Sequence, residues 1–331
     1  MHKIIIDTDP GIDDAQAIAF AIAHPDIDLL GLTTVFGNAS IDITSRNALK
    51  LLEIFGRADI PVAQGASKPL KQDRLPSPDF VHGIDGLGNL NLDAPKTTLQ
   101  SQSAVQFIIE AVNLNPGEIT LVAVGPLTNI AEAVALDPSL PSKVKGLIVM
   151  GGNIDEAGNV SPVAEANFLG DPHAADIVCA HDWPLKVIGL DVTLQVMLQD
   201  HHLAELRDKA GDTGKLIWDS SRFYVDFYTQ NQNSEGVVNP VRQCAMHDAS
   251  ALVCVIAEGA FDFVSGPARV VEDGVAAGQI IIDRKSNDGS AYALPYWTNR
   301  PLVHVALNVD AERVLDTFMD TITQYASEST R

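Results

Sequence analysis

The sequence predicts an α/β protein built on a mainly parallel, doubly wound sheet with helices on both faces. Short apolar runs rich in β-branched residues alternate along the chain with longer segments of helical periodicity. Several of these runs (LVAVG, LIVMGG, LKVIGL) are almost continuously apolar, as in strands that helices cover on both faces. No repeat, low-complexity tract or change of composition marks a linker. Residues 1–331 are therefore expected to form one domain.

The strands and helices follow from the apolar runs and from the periodicity between them. Strands are predicted at residues 3–6, 29–36, 119–124, 146–150, 185–190, 279–283 and 302–307. Helices are predicted at residues 13–23, 41–55, 102–113, 129–136, 172–180, 214–230, 249–258 and 311–325. Asp171 and Pro172 give one helix a start signal, a capping carboxylate before a proline at the first helical position. Segments 66–95 and 191–211 are predicted to be long loops over a site.

Charge restricts the ligands. The formal net charge is −21, although 46% of the residues are apolar and supply a sizeable core. A surface this acidic repels phosphate backbones and anionic membranes, so no nucleic-acid or membrane partner is expected. Neutral small molecules and cations remain as ligands.

Cysteine usage and the first residues bear on the compartment. The three cysteines, Cys179, Cys244 and Cys254, are an odd number in a long chain, which argues against a disulfide framework and for a reducing environment. The opening MHKIIIDTDPG reaches two aspartates before an apolar signal segment forms. No apolar run approaches the ~18 residues that span a bilayer. The expectation is a soluble, cytoplasmic protein.

Four carboxylates, those of Asp7, Asp9, Asp13 and Asp14, fall within eight residues between the strand KIII and the helix AQAIAFAIA. Open parallel sheets bind ligands at the C-terminal ends of their strands, so the site is expected there. Crowded carboxylates repel one another, and a helix N-terminus offsets only about 0.3–1 kcal/mol for one or two of them. A bound cation is the economical compensation. All-oxygen ligands favour Ca²⁺ or Mg²⁺ over zinc.

Two other metal motifs were compared with this stretch. An EF-hand loop starting at Asp7 fails, because Gly11 and Ile18 stand where Asp or Asn and Glu are needed. The Asp7-Thr8-Asp9 triplet is similar to the opening of haloacid-dehalogenase-type phosphatases, which would make Asp7 a nucleophile. Gly11 stands where that family usually has Thr or Val, and the triplet leaves Asp13 and Asp14 unexplained. This reading remains an alternative.

The string DTDPGIDDA closely resembles the opening signature of the inosine–uridine-type nucleoside hydrolases. Further blocks resemble that family in its order: VFGN ending at residue 38, AVGPLTNIA at 123–131, VMGGN at 149–153, GNVSPVAEANFLGDPHAA at 158–175 and CAMHDASA at 244–251. The resemblance runs from residue 3 to about residue 284. It implies a hydrolase that splits the N-glycosidic bond of ribonucleosides into ribose and free base, with residues 1–331 as a single domain of this kind.

The resemblance also implies the cofactor and the catalytic groups. Ca²⁺ is implied as the only cofactor, held by Asp9, Asp14 and Asp248 and by the backbone carbonyl of Val124. Asp9 is implied to be the general base that takes a proton from a calcium-bound water. His247 is implied to lie near the nucleobase as a candidate acid for its departure.

A second set of residues is implied to hold the substrate. These are Asp13, Asn38, Asn159, Glu165 and Asn167 for the ribose hydroxyls, Met150 at the sugar pocket, and His82 as a pocket residue. Carboxylates and amides suit ribose, whose hydroxyls donate and accept, and they stabilise the positive charge of an oxocarbenium-like transition state. Ala166 replaces an aromatic residue that many family members carry, which is expected to widen the pocket. Asp7 is expected to orient its loop, and Tyr224 and Tyr228 lie four residues apart on a predicted helix and are candidates to reach the base.

Some functional alternatives stay open. A nucleoside phosphorylase would need Arg or Lys among these motifs, and none occurs in them. The phosphatase reading uses Asp7 and Mg²⁺, and a calcium-dependent nucleoside-binding protein would bind without turnover. Purine or pyrimidine preference is left open, since it depends on residues around 80–89 and 218–228. The resemblance implies a homodimer or a homotetramer.

Overall fold

The structure of the protein is a computed structural model that describes residues 1–285 and 295–329. Within these residues the strands are β1 (His2–Thr8), β2 (Ile27–Thr34), β3 (Val62–Gln64), β4 (Ile119–Ala123), β5 (Gly146–Met150), β6 (Leu185–Ile188), β7 (Met197–Gln199), β8 (Gln243–Ala245), β9 (Phe261–Val270), β10 (Ile280–Ile282) and β11 (Leu302–Val309). The helices are α1 (Ile12–Ala23), α2 (Ile41–Ile54), α3 (Asp79–His82), α4 (Ala104–Leu114), α5 (Thr128–Leu136), α6 (Ala166–Gly170), α7 (Pro172–Cys179), α8 (Leu190–Thr193), α9 (Asp200–Lys209), α10 (Gly211–Ser234), α11 (His247–Ile256) and α12 (Ala311–Ser329).

The main sheet has nine strands in the order β10-β9-β11-β6-β5-β4-β1-β2-β3. The strands β1 to β6 and β11 run parallel to one another, whereas β9 pairs antiparallel with both β11 and β10. A second, antiparallel pair joins β7 and β8. The predicted mainly parallel α/β sheet is confirmed, with an antiparallel edge that the sequence did not reveal.

Alternate residues of the central strands enter two separate hydrophobic cores. Ile4 and Ile6 pack on one face in a core with residues of α1, α2, α11 and α12, such as Phe20 and Phe318. Ile5 packs on the other face in a core with residues of α4, α5 and α7. Side chains alternate along a strand, so near-continuous apolar runs satisfy both faces at once. The predicted helices on both faces are confirmed.

The predicted loop at 191–211 is wrong, because this segment contains part of α8, all of β7 and α9, and the start of α10. Helix α9 buries only Leu203 and Leu206, which is too sparse an apolar pattern to predict a helix. Strand β9 was also missed, since Gly266-Pro267 in its middle is a turn signal. Segment 66–95 is irregular apart from α3, as predicted.

The strand order brings two strand ends together where the site lies. β1 and β4 are neighbours, and the sheet winds in opposite directions from this point, which is the topological switch of doubly wound folds. Asp9 follows β1 and Val124 follows β4. All residues of α1 are buried, including Asp13 and Asp14 in its first turn. Carboxylates are thereby fixed inside the protein at the end of the sheet.

Two expectations from composition concern the membrane and the cysteines. Across residues 1–285 and 295–329, no helix is both long and apolar enough to cross a bilayer. Cys179, Cys244 and Cys254 are free and buried.

Candidate active site

A cavity of about 640 Å³ opens at the C-terminal ends of the parallel strands. This volume suits a small-molecule ligand. Eleven of the predicted site residues line it: Asp9, Asp13, Asn38, His82, Val124, Met150, Asn159, Glu165, Asn167, His247 and Asp248. Asp14 lies against Asp13 and Asp248 without lining the cavity. Residues separated by more than 200 positions in the chain therefore meet at the place where the sequence expected a site.

Asp9 is held in one orientation at the end of β1. Its Oδ2 accepts a hydrogen bond of 2.7 Å from the Asn38 backbone N–H, while its Oδ1 is buried without a hydrogen-bond partner. Two glycines leave room for the carboxylate, because a Cβ at Gly37 would lie 1.9 Å from Oδ2 and one at Gly125 would lie 2.7 Å from Oδ1. The free Oδ1 is thus available to a ligand.

Asp14 fastens the loop between β1 and α1. Its Oδ1 accepts from the Thr8 hydroxyl and from the Asp9 N–H at 3.2 Å, and its Oδ2 accepts from the Gly11 N–H at 2.8 Å and from Asn38 Nδ2 at 3.0 Å. Carboxylate oxygens of Asp13, Asp14 and Asp248 lie within 4.8 Å of one another. Asp248 is the second residue of α11, which follows β8.

Burial raises the pKa of each of these carboxyls, and the charges of neighbouring aspartates add to the rise for Asp9, Asp13 and Asp248. For Asp13, burial and then the charge of Asp14 raise the pKa to about 8. For Asp9 and Asp248 the pKa lies well above its usual range, from burial and from the neighbouring aspartates. Asp13 Oδ1, like Asp9 Oδ1, is buried without a hydrogen-bond partner. Oxygen-only donors, the close spacing of Asp13, Asp14 and Asp248, and the unpartnered oxygens of Asp9 and Asp13 fit a hard divalent cation.

Asn167 joins two strand ends to the cavity. Its Nδ2 donates to the backbone carbonyl of Val124 at 2.9 Å and to that of Met150 at 3.1 Å. The Val124 carbonyl, predicted as a metal ligand, therefore already accepts one hydrogen bond and keeps a second lone pair.

Glu165 is the N-cap of α6 as well as a cavity residue. Its Oε1 accepts from the Asn167 N–H at 2.8 Å, and its Oε2 accepts from the Gly152 N–H at 2.8 Å and the Phe168 N–H at 3.1 Å. Burial nevertheless raises the pKa of Glu165 to about 7. Asn159 Oδ1 accepts from the Ala166 N–H at 3.0 Å, so these side chains also hold the loop after β5.

His247 has partners at both ring nitrogens. Nδ1 lies 2.6 Å from the Thr193 hydroxyl and Nε2 lies 2.9 Å from the Tyr228 hydroxyl. Burial lowers the pKa of His247 to about 4, so the ring is neutral near pH 7. Tyr228 lines the cavity, and burial raises its pKa above the usual range, which keeps its hydroxyl protonated.

Aromatic side chains of α3 and α10 form one wall of the cavity. The ring of His82 stacks on Tyr224 at a centroid distance of 5.7 Å, and Phe80 lies 6.0 Å from Phe227. Burial lowers the pKa of His82 to about 3, so its 3.9 Å approach to Asp13 is not an ion pair. The segments 80–89 and 218–228 both contribute to this wall.

Asp7 is buried outside the cavity lining. Its Oδ1 accepts from the Thr33 hydroxyl at 2.5 Å and from Asn129 Nδ2 at 2.7 Å, which ties β1 to β2 and α5. Burial raises the pKa of Asp7 to about 7. A phosphatase mechanism would need this carboxylate facing the substrate, which the fold does not allow.

Some cavity residues were not named individually from the sequence. They are Arg74, Ser77, Leu194 and Asn231, together with Pro76, Pro78 and Val160, whereas Phe80 and Phe227 fall in the ranges 80–89 and 218–228 on which base preference was expected to depend. Arg74 and Ser77 lie in an irregular segment, KQDRLPSPDF, that carries no periodicity and no motif. Phe227 and Asn231 have the spacing of one face of α10 with Tyr224 and Tyr228, a signal that helical periodicity supplies.

Comparison with known proteins supports one family. Residues 4–316 match the family described as inosine-uridine preferring nucleoside hydrolase. Uridine nucleosidase 1 of Arabidopsis thaliana is 42% identical over 95% of this chain and 91% of its own. The structure of a plant nucleoside hydrolase superposes with a TM-score of 0.90 at 38% identity, covering 97% of this chain and 99% of its own. The structure of a purine-preferring ribonucleoside hydrolase from Gardnerella vaginalis superposes with a TM-score of 0.88 at 31% identity, covering 98% of this chain and 99% of its own.

These matches confirm the resemblance that the motifs indicated, and they extend it over nearly the whole chain. The protein is a hydrolase acting on N-glycosyl compounds, and it belongs to the inosine-uridine preferring nucleoside hydrolase family.

Proposed function

We propose that this protein hydrolyses the N-glycosidic bond of ribonucleosides, uridine among them, with Asp9 as general base and Ca²⁺ as the cofactor. The observation that carries the proposal is the group of buried carboxylates around the cavity, of which Asp9 Oδ1 and Asp13 Oδ1 have no hydrogen-bond partner. The uridine nucleosidase named above supports uridine as a substrate.

Asp9 is oriented to take a proton from the attacking water. The Asn38 N–H fixes Oδ2, so the unpartnered Oδ1 is the proton acceptor. Without a cation, burial and the charges of Asp14 and Asp13 raise the pKa of Asp9 well above its usual range, so a bound cation that offsets this repulsion keeps the carboxylate ionised, as a base must be. Water then adds to C1′ of the ribose as the C1′–N bond to the base breaks.

Asp9, Asp14, Asp248 and the Val124 carbonyl are proposed to hold the cation. When bound, Ca²⁺ would offset the carboxylate repulsion and lower the pKa of a water molecule in the site. Asp13, Asn38, Asn159, Glu165 and Asn167 are proposed to bind the ribose hydroxyls. The same carboxylates stabilise the positive charge that develops on the sugar as the bond breaks.

The leaving base is proposed to meet the aromatic wall. His247 reaches it through Tyr228, since both nitrogens of His247 already have partners. The proposed tautomer donates from Nε2 to the tyrosine oxygen, so the tyrosine O–H can donate to the base in place of its neighbour Tyr224. That donor stabilises the negative charge on the departing base.

The test is the release of ribose from uridine, inosine, cytidine and adenosine in phosphate-free buffer, with Ca²⁺ and after exhaustive chelation. We expect release without phosphate, its loss on chelation and its return with added Ca²⁺. Release that needs phosphate would establish a phosphorylase. Tight nucleoside binding without release would establish a binding protein.

Asn167→Ala is expected to weaken ribose binding. Losing an uncharged hydrogen-bonding side chain should raise KM about two- to tenfold, with a smaller change in kcat. Steady-state kinetics on uridine and inosine measure this, and Asn233→Ala on the exposed end of α10 is the control. Unchanged kinetics on both nucleosides would refute the assignment of Asn167.

Gly37→Ala is expected to displace the Asp9 carboxylate, because the new Cβ would lie 1.9 Å from its Oδ2. A misplacement of about 1 Å can cost up to about a hundredfold in rate, so kcat/KM should fall at least about tenfold. Gly259→Ala is the matched control, since its Cβ meets only Arg313 at 3.7 Å. Normal kinetics of the Gly37 variant would show that Asp9 does not need this space.

A further inference from the structure

Arg74 supplies a positive charge to a cavity whose other charged lining side chains are carboxylates. Among the described lining residues it is the only lysine or arginine. Its Nη2 donates to the Ser77 hydroxyl at 2.5 Å, whereas its Nε is buried without a hydrogen-bond partner. In the described parts of the chain it forms no ion pair with a carboxylate. A buried donor with no acceptor in the protein indicates that an acceptor arrives with the ligand.

The segment that carries Arg74 belongs to the aromatic wall. Gln72 anchors its start, with Nε2 donating to the Leu169 carbonyl at 2.8 Å and to the Gly170 carbonyl at 3.1 Å. Its other end is α3, where Phe80 and His82 contact the rings of α10. Asp9 instead follows the end of β1, and Asp13 lies in the first turn of α1. An aromatic wall with a few placed polar groups suits a flat, partly polar nucleobase.

We propose that Arg74 donates hydrogen bonds to a carbonyl oxygen of the departing base, and so selects bases with a carbonyl over bases with an exocyclic amino group at the same position. This inference rests on the proposed function. Guanidinium only donates, so it pairs with the oxygen of uracil or hypoxanthine and not with the amino group of cytosine or adenine. Negative charge develops on that oxygen as the bond breaks, and a fixed cation stabilises it.

A substrate phosphate is the other acceptor with this chemistry. The cavity already contains Asp9, Asp13, Glu165 and Asp248, and together these carboxylates repel a phosphate dianion. A carbonyl oxygen accepts the same hydrogen bonds without bringing a charge. The surroundings of Arg74 therefore favour the base carbonyl.

The test compares substrates that differ at one group: uridine with cytidine, and inosine with adenosine. We expect wild-type kcat/KM to favour uridine and inosine. Arg74→Met keeps the bulk of the side chain and removes every hydrogen-bond donor. It should lower the uridine-to-cytidine and inosine-to-adenosine ratios of kcat/KM about tenfold or more, with little change in kcat/KM on cytidine and adenosine. Arg74→Lys keeps the charge and loses the planar, forked set of guanidinium donors, so its ratios should lie between those of wild type and Arg74→Met. Lys71→Met, exposed in the same segment, should leave the ratios unchanged.

Other results would overturn the proposal. An equal loss on all four nucleosides in Arg74→Met would place the guanidinium on a group that the compared substrates share, the ribose or a base atom such as O2 of both pyrimidines. Unchanged kcat/KM on all four would mean that it contacts neither the base nor the ribose. Selective loss of uridine 5′-monophosphate hydrolysis or binding would identify a phosphate contact instead. A wild type that releases no base from any nucleoside would contradict the proposed function separately. Calorimetric binding of uridine and cytidine to wild type and Arg74→Met would then decide on Arg74 alone.

Discussion

Asp9→Asn is expected to reduce kcat on uridine and inosine by about 10²- to 10⁴-fold, the usual contribution of a general base. Asparagine keeps the shape of the side chain, and its amide oxygen can still accept from the Asn38 N–H. It cannot take a proton from water at the position of Oδ1. Gly37 and Gly125 lie close to this side chain, so a water molecule has little space to enter beside the asparagine and accept the proton in its place.

Two further measurements separate the base from the ligand role of Asp9. Calorimetric titration with Ca²⁺ reports whether the variant still binds the cation, and Asp42→Asn, an exposed aspartate in the first turn of α2, controls for the loss of one negative charge. Lost turnover with cation binding retained assigns Asp9 as the base. Loss of both assigns it mainly as a ligand. Turnover at the wild-type rate would contradict both assignments.

The central sheet could be predicted because its strands are apolar on both faces. Side chains of runs such as LVAVG and LIVMGG pack into both cores, so both faces of the strand must be apolar. Few other elements of secondary structure need such a continuous apolar run. The capped start of α7 was also predictable, since Asp171 accepts from the Ala174 N–H at 3.0 Å and Pro172 is the first residue of the helix. Helix α9 and strand β9 were missed because the helix buries only two of its residues and the strand contains a turn dipeptide. In both cases tertiary contacts outweigh the local pattern.

The site residues that belong to sequence motifs were predictable, whereas those that line the cavity from irregular segments were not. Asp9, Asp13 and Asp14 lie so close together in the sequence that their crowded charges indicate a site. Asp248 and Asn167 were identified because they lie in sequence blocks that resemble the family. Arg74 has no such signal, because an isolated arginine in an irregular segment carries no periodicity or spacing. Its place in the cavity depends on how Gln72 anchors the segment to α6. Nothing in the sequence indicated that Glu165 caps α6, or that the Tyr228 hydroxyl pairs with Nε2 of His247.

Asp248→Asn is expected to have opposite effects on activity and on the stability of the cation-free protein. In wild type, burial and the charges of Asp13, Asp14 and Asp9 raise the pKa of Asp248. A carboxyl with a pKa raised by folding favours the folded state most at a pH below its unfolded pKa of about 4, and that contribution is lost as the pH rises through the folded pKa. Near neutral pH the cation-free protein therefore carries a penalty at Asp248, which a neutral asparagine removes.

The cation should reverse the order of the two proteins. Binding to the folded state alone stabilises by about 2.7 kcal/mol at a hundred times Kd, so Ca²⁺ should raise the Tm of wild type by several degrees. Asp248→Asn should begin with an equal or higher Tm after chelation, gain much less from Ca²⁺, and lose about a hundredfold or more in kcat/KM. Thermal unfolding with and without Ca²⁺ measures this, with Asp212→Asn in the exposed first turn of α10 as the matched control. A full Ca²⁺-induced rise in Tm, together with unchanged kcat/KM, would remove Asp248 from the cation site. In the proposed site, holding these carboxylates together without the cation would weaken the fold, and the same arrangement would supply the affinity for the ion.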